Sequence, residues 1–201
     1  IIGDRDPDVG AGLGGLAGRK WDAVIDTNLS SVFYVTQPVW NGMIERGYGR
    51  VINISSIGVL SNAPRFSAYV ASKAALDAFS RCASSEFSDT GVRFTTINMP
   101  LVRTPMIAPT RMYDNVPTIS PEEAAAMVKQ AVIYKPQRIA TRLGIFAQTL
   151  HSVAPKITEI IMNSAFRMFP ESPAAMGHAE DQPHVSQEQI AFASLMRGIH
   201  W

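Results

Sequence analysis

Apolar positions recur at helical spacing from Trp21 to Gly47, which predicts a helix stopped by Gly47 and kinked at Pro38. A short β-rich run, Arg50–Ser55, follows with the character of a buried parallel strand. Ser67–Phe87 reads as a strong helix, in which Ala68, Ala71, Ala75 and Ala78 allow close packing. Val92–Asn98 reads as a second strand ended by Pro100. Ser120, Pro121 and Glu123 supply the N-cap, N1 and N3 residues of a capping box that opens the next helix. Arg138–Arg142 is a candidate third strand, and Leu143–Phe169 is helical again with a break near Pro155. The chain turns polar from Pro170 to Val185, a linker by composition, before a short helix over Ser186–Ile199. No internal repeat is present, and strands alternating with helices predict an α/β fold with a parallel sheet.

A chain of 201 residues, 46% hydrophobic and 17% charged, suits one globular domain with a sizeable core. The net charge of +1 gives no electrostatic case for nucleic acid. The lone Cys82 reads as a small core residue and fits a reducing, cytoplasmic setting. His151, His178, His184 and His200 lack ligand spacing, so no metal site is expected. No apolar run is long enough to span a bilayer, and Ile1 begins no signal peptide. The chain opens on isoleucine rather than methionine, so its true start is expected elsewhere.

Gly10, Gly12 and Gly15 match G-x-G-x-x-G, the fingerprint of a dinucleotide loop, but the context differs. Only Ile1 and Ile2 resemble a feeding strand, and Gly18 interrupts the short segment before Asp22. Asp26 comes too early to bind a ribose, since an acidic ligand is needed about 20 residues on. The stretch therefore reads as a flexible glycine-rich connection.

The candidate chemistry lies further along. Tyr69 and Lys73 are four apart on one helix and share a face. Ser56 follows the C-terminal end of the first predicted strand, where the crevice of a parallel sheet opens. A hydroxyl, a phenol and an ammonium there can converge on one carbonyl oxygen. A nearby Lys⁺ favours the phenolate, which suits Tyr69 to act as general acid, with Ser56 bonding the same oxygen. A tyrosine and lysine at this spacing are common by chance, and many strands end in serine.

Together Asn28, Ser56, Tyr69 and Lys73 resemble the Asn–Ser–Tyr–Lys tetrad of the short-chain dehydrogenase/reductase family. "DTNLSSVF", "GRVINISS", "SAYVASKAAL" and "INMPLVRTPM" resemble four of its segments in order, and Ser56 stands thirteen residues before Tyr69. The resemblance runs from Trp21 to about Met106. It implies an NADP- or NAD-dependent carbonyl reductase in which Tyr69 donates the proton and Lys73 binds the nicotinamide ribose. It implies that Ser56 orients the substrate and Asn28 holds a water that links Lys73 to solvent. Val102 and Thr104 match positions that contact the nicotinamide end, and Pro100 another, although Met99–Pro100 replace the usual Pro-Gly pair. The asparagine and tyrosine helices of relatives pair across a dimer axis, so a homo-oligomer is expected. The downstream segments "SPEEAA", "PQRIATRLG" and "MRGIHW" resemble the C-terminal reductase domain of bacterial two-domain fatty acyl-CoA reductases. That narrower resemblance implies a fatty acyl or aldehyde substrate. It makes Phe146–Phe169 a candidate border of an acyl tunnel or a peripheral membrane contact, against an ordinary core-facing helix.

The family's T-G-x-x-x-G-x-G loop, its ribose selector and its N-N-A-G segment are not found. The expected fold is therefore a partial Rossmann-type, doubly wound parallel sheet without the usual first strands and glycine-rich loop. Residues 1–20 form an atypical glycine-rich lead, 21–169 the catalytic half, and 170–201 a linker and C-terminal tail helix. A sheet of this kind exposes an edge and an apolar face, which leads to aggregation or capture by a partner. The alternative function is a truncated or fused remnant that associates with a partner but cannot bind cofactor.

Overall fold

The structure is a computed structural model and describes residues 18–105, 107 and 116–168. The Gly10–Gly15 stretch and the 170–201 tail lie outside the described residues.

Three parallel strands, β1 (Gly49–Ser56), β2 (Val92–Met99) and β3 (Arg138–Ile139), lie in the order β1-β2-β3. Parallel neighbours need a crossover, and helices supply both. The short α3 (Gly58–Ser61) and the long α4 (Ser67–Glu86) join β1 to β2, and α5 (Pro121–Tyr134) joins β2 to β3. The central strand β2 is buried along most of its length, whereas β1 is half-buried over much of its own. Val92 and Phe94 pack with Ala83 of α4 on one face of the sheet. Ile97 packs with Met127 and Ala131 of α5 and with Ile119 on the other. Helices on both faces give the expected α/β layering.

Ahead of β1 come α1 (Gly18–Ile25), a π-helical turn (Asp26–Ser30) and α2 (Ser31–Glu45). The helix begins at Gly18, inside the expected lead segment. The backbone leaves α geometry at Asp26–Ser30, and α2 continues through Pro38 to Glu45. Proline removes the hydrogen bond to the carbonyl four residues earlier. That residue is Tyr34, which is exposed. α2 is held against α4 by aromatic contacts of Trp40 with Phe79 and Phe87.

The predicted capping box is formed: Ser120 Oγ accepts from the Glu123 amide, and the Ser120 amide donates to the Glu123 carboxylate at 2.7 Å. The break at Pro155 divides the last helical region into α6 (Arg142–Val153) and α7 (Pro155–Met168). A core-facing role for this region is not what the described residues show. Phe146, Ile157 and Ile160 are exposed, and α7 buries none of its described side chains. Cys82 is also exposed rather than in the core, because it lies on the outer face of α4. Among the described residues no helix is long and apolar enough to cross a membrane, and no cluster of metal-ligating side chains occurs.

Candidate active site

The C-terminal end of β1 carries Ser56, and the first turns of α4 carry Tyr69 and Lys73. Ser56 is the last residue of β1, one beyond the expected strand end. Its Oγ accepts from the Gly58 amide at 3.1 Å, which leaves the hydroxyl proton for another acceptor. Tyr69 and Lys73 lie one turn apart on α4, and Lys73 Nζ is 6.0 Å from the Tyr69 ring centroid. Lys73 Nζ donates to the Ile54 carbonyl at 2.9 Å, which ties the ammonium to β1 two residues before Ser56. Burial pushes the Lys73 ammonium below the ordinary lysine value, and the negative charge of Asp77 opposes that shift.

Asn28 reaches the same helix. It sits in the middle of the π-helical turn, and its Nδ2 donates to Ser72 Oγ at 3.2 Å. Ser72 Oγ donates to the Tyr69 carbonyl at 2.7 Å. Asn28 is thus linked to the α4 backbone at Tyr69 through a fully buried serine. Single π turns recur at functional positions because the extra residue redirects a side chain.

Pro100, Val102 and Thr104 follow β2. Pro100 is buried. Val102 forms an isolated parallel bridge with Ile119, and the Thr104 carbonyl accepts from the Ile107 amide at 3.1 Å. These contacts continue the chain past the sheet at the end where Ser56 lies, since Met99 is the register partner of Ser56.

Sequence reasoning missed Ser72, Asp77, Asn98 and Arg138. Asn98 Nδ2 donates to Asp77 Oδ2 at 2.9 Å, and Arg138 Nε donates to Asn98 Oδ1 at 3.0 Å. Asp77 carried a usable signal, as the acidic residue four after Lys73 on a helix. Asn98 carried none, because a strand buried on both faces shows no alternation against which a polar residue stands out.

Residues 11–114 match the family model described as short chain dehydrogenase. The chain belongs to the short-chain dehydrogenase family. The match begins upstream of Trp21, where the resemblance was drawn, and it takes in Asn28, Ser56, Tyr69, Lys73, Pro100, Val102 and Thr104. A fatty acyl-CoA reductase of Acinetobacter baylyi is 55% identical over 159 residues, which is 79% of this chain and 53% of the relative. A fatty acyl-CoA reductase of Mycobacterium tuberculosis is 47% identical over 122 residues, 60% of this chain and 42% of the relative. The chain therefore spans about half the length of the curated relatives it matches. A crystal structure of a short-chain dehydrogenase from Streptomyces avermitilis superposes with a TM-score of 0.62 at 25% identity, covering 77% of this chain and 66% of that one. The three-stranded parallel sheet and its flanking helices are accordingly a part of the Rossmann-type fold of a short-chain dehydrogenase.

Proposed function

We propose that this chain carries the catalytic half of an NAD(P)-dependent carbonyl reductase, with residues 21–169 as the reductase unit, 1–20 as a lead and 170–201 as a tail. The observation that carries the reading is the Tyr69–Lys73 pair on α4, with Lys73 anchored to the β1 backbone beside Ser56. In this reading Tyr69 gives its phenolic proton to the carbonyl oxygen. Lys73 holds a positive charge near the phenol and so stabilises the phenolate left behind. Ser56, which accepts from the Gly58 amide, donates its hydroxyl proton to the same oxygen. Asn28 fixes the Tyr69 turn through Ser72.

The donors at this end of the sheet fit a nicotinamide nucleotide. Lys73 gives one proton to Ile54 O and, as an ammonium, has two more for ribose hydroxyls. Tyr69 would share that contact, and Pro100, Val102 and Thr104 would border the nicotinamide. The bound nucleotide supplies the hydride. Titrating the purified chain with NADPH and then NADH, followed by nucleotide fluorescence, is expected to show saturable binding in the micromolar range. A folded sample that binds neither would overturn the reading.

The names of the relatives at 55% and 47% identity support a fatty acyl or aldehyde substrate. Exposed Phe146, Ile157 and Ile160 on α6 and α7 suit an acyl chain or a lipid surface at that side. A reducing, cytoplasmic setting fits the free Cys82. Self-association through α2 and α4 is also part of the proposal. Tyr34, Val35 and Val39 are exposed on α2, and a hollow of about 320 Å³ lies between Phe33, Tyr34 and Phe79. An isologous contact would cover these groups on both copies at once. Sedimentation velocity at micromolar concentration is expected to give a dimer, and a monomer at every concentration would remove this part.

A further inference from the structure

We propose that Asn98 is a positioning residue for Lys73: by donating to Asp77 and accepting from Arg138, it fixes the Asp77 carboxylate one helical turn beyond Lys73, where its negative charge acts on the ammonium. The inference rests on the reading of Lys73 as the lysine of the site.

Asn98 is 0% exposed and stands opposite Ser55 in the sheet, next to the end of β1 that carries Ser56. Its Nδ2 has two protons and three acceptors within reach: Asp77 Oδ2 at 2.9 Å, Ser55 Oγ at 3.4 Å and the Ser56 carbonyl at 3.5 Å. Its Oδ1 accepts from Arg138 Nε at 3.0 Å, and Arg138 continues to Gln148 of α6 at 2.8 Å. The orientation of the amide follows from charge. Turned over, it would set an oxygen against a carboxylate and an N–H against a guanidinium. The amide dipole thus lies between an anion on α4 and a cation on β3, with its positive end toward Asp77.

Asp77 depends on this contact. It is buried, and its other oxygen, Oδ1, has no partner. The Asn98 bond to Oδ2 is what fixes the orientation of the carboxylate, and without that donor the group is free to turn away. Burial acts on Lys73 in the opposite sense and favours loss of its proton, and the Asp77 charge is what resists that loss. A neutral side chain on β2 therefore governs the charge on a lysine that it does not itself touch. The elements packed on α4 bring other charges: Arg50 on β1 and Arg93 on β2, both at the far end of the sheet, Asp26 in the π turn, and Arg19, Lys20 and Asp22 on α1. Asp26 is bonded to Ser30, and α3 carries no titratable group.

The test follows Lys73 directly in the full chain, by ¹³C NMR of reductively methylated lysines, with the signal assigned by its absence in Lys73→Arg. Asn98→Ala and Asp77→Asn are each expected to lower the titration midpoint of Lys73 by about one pH unit, and the double variant by no more than either alone. Asn98→Ser, which keeps a donor and is the gentler change should alanine disturb folding, is expected to restore part of the shift. A midpoint unmoved in Asp77→Asn, or moved there but not in Asn98→Ala and Asn98→Ser, overturns the proposal. Because this readout needs no turnover, it stands apart from the site reading, which fails instead if Tyr69→Phe leaves reduction intact.

Discussion

Tyr69→Phe is expected to lower the turnover of aldehyde reduction by about 10²- to 10⁴-fold, the range over which general acid–base catalysis acts. The phenylalanine ring keeps the packing of the first turns of α4 and removes only the phenolic oxygen. The folded chain should therefore unfold at nearly the same denaturant concentration. Nucleotide affinity should fall by no more than about fivefold, because one neutral hydrogen bond contributes about 1 kcal/mol. The loss should appear in kcat, since a proton donated to a developing alkoxide acts only in the transition state. Steady-state kinetics with an aliphatic aldehyde and NADPH or NADH measure it. Turnover within a few-fold of the parent chain would remove Tyr69 from the acid role and leave Lys73, bound to Ile54 O, as an anchor of α4 on β1.

Gly91→Ala is expected to cost the chain much of its folding stability. Gly91 closes the turn from α4 to β2 at φ +80°, a conformation that disfavours a side chain. A Cβ there would fall on the carbonyl oxygen of Gly47, in the turn from α2 to β1. Neither partner is a flexible side-chain end, so relief requires moving backbone. Both turns lead straight into strands whose register begins at Gly49 and Val92, and a shift there disturbs the pairing of β1 with β2. Backbone strain of about 1–3 kcal/mol adds to overpacking of about 1–3 kcal/mol. Whole domains are stable by only about 5–15 kcal/mol. Gly47→Ala is the control: its φ is +61°, but a Cβ there meets nothing within 4 Å, so only the strain remains. Urea unfolding followed by circular dichroism separates the two. Equal midpoints for Gly91→Ala and the parent chain would show that the turns yield without penalty.

The candidate site was partly legible in the sequence, and the legible part has a common cause. Tyr69 and Lys73 lie four residues apart in a run of helix formers, so the helical period alone puts them on one face. Ser56 ends a β-rich run, and the end of a parallel strand is where such a residue can face a crevice. The partners of these groups were not legible. Asn28 bonds Ser72 across 44 positions, Lys73 bonds a backbone carbonyl 19 positions away, and Asn98 joins Asp77 and Arg138 across 21 and 40. The π-helical turn that carries Asn28 breaks the helical period in a segment whose apolar spacing reads as one helix.

Local patterning by itself determined where several elements of this chain start and stop. The capping box at Ser120, the strand ended before Pro100, the stop at Gly47 and the division at Pro155 are each decided by groups a few residues apart. Tertiary structure decided what those elements do to one another. It buried Asn98 between charges of opposite sign, tied Lys73 to β1, brought the Gly47 and Gly91 turns into contact and left α7 without a buried face. The reason is physical: a period says which side of a helix or strand is apolar, while the group it meets is fixed only when the crossovers pack against the sheet.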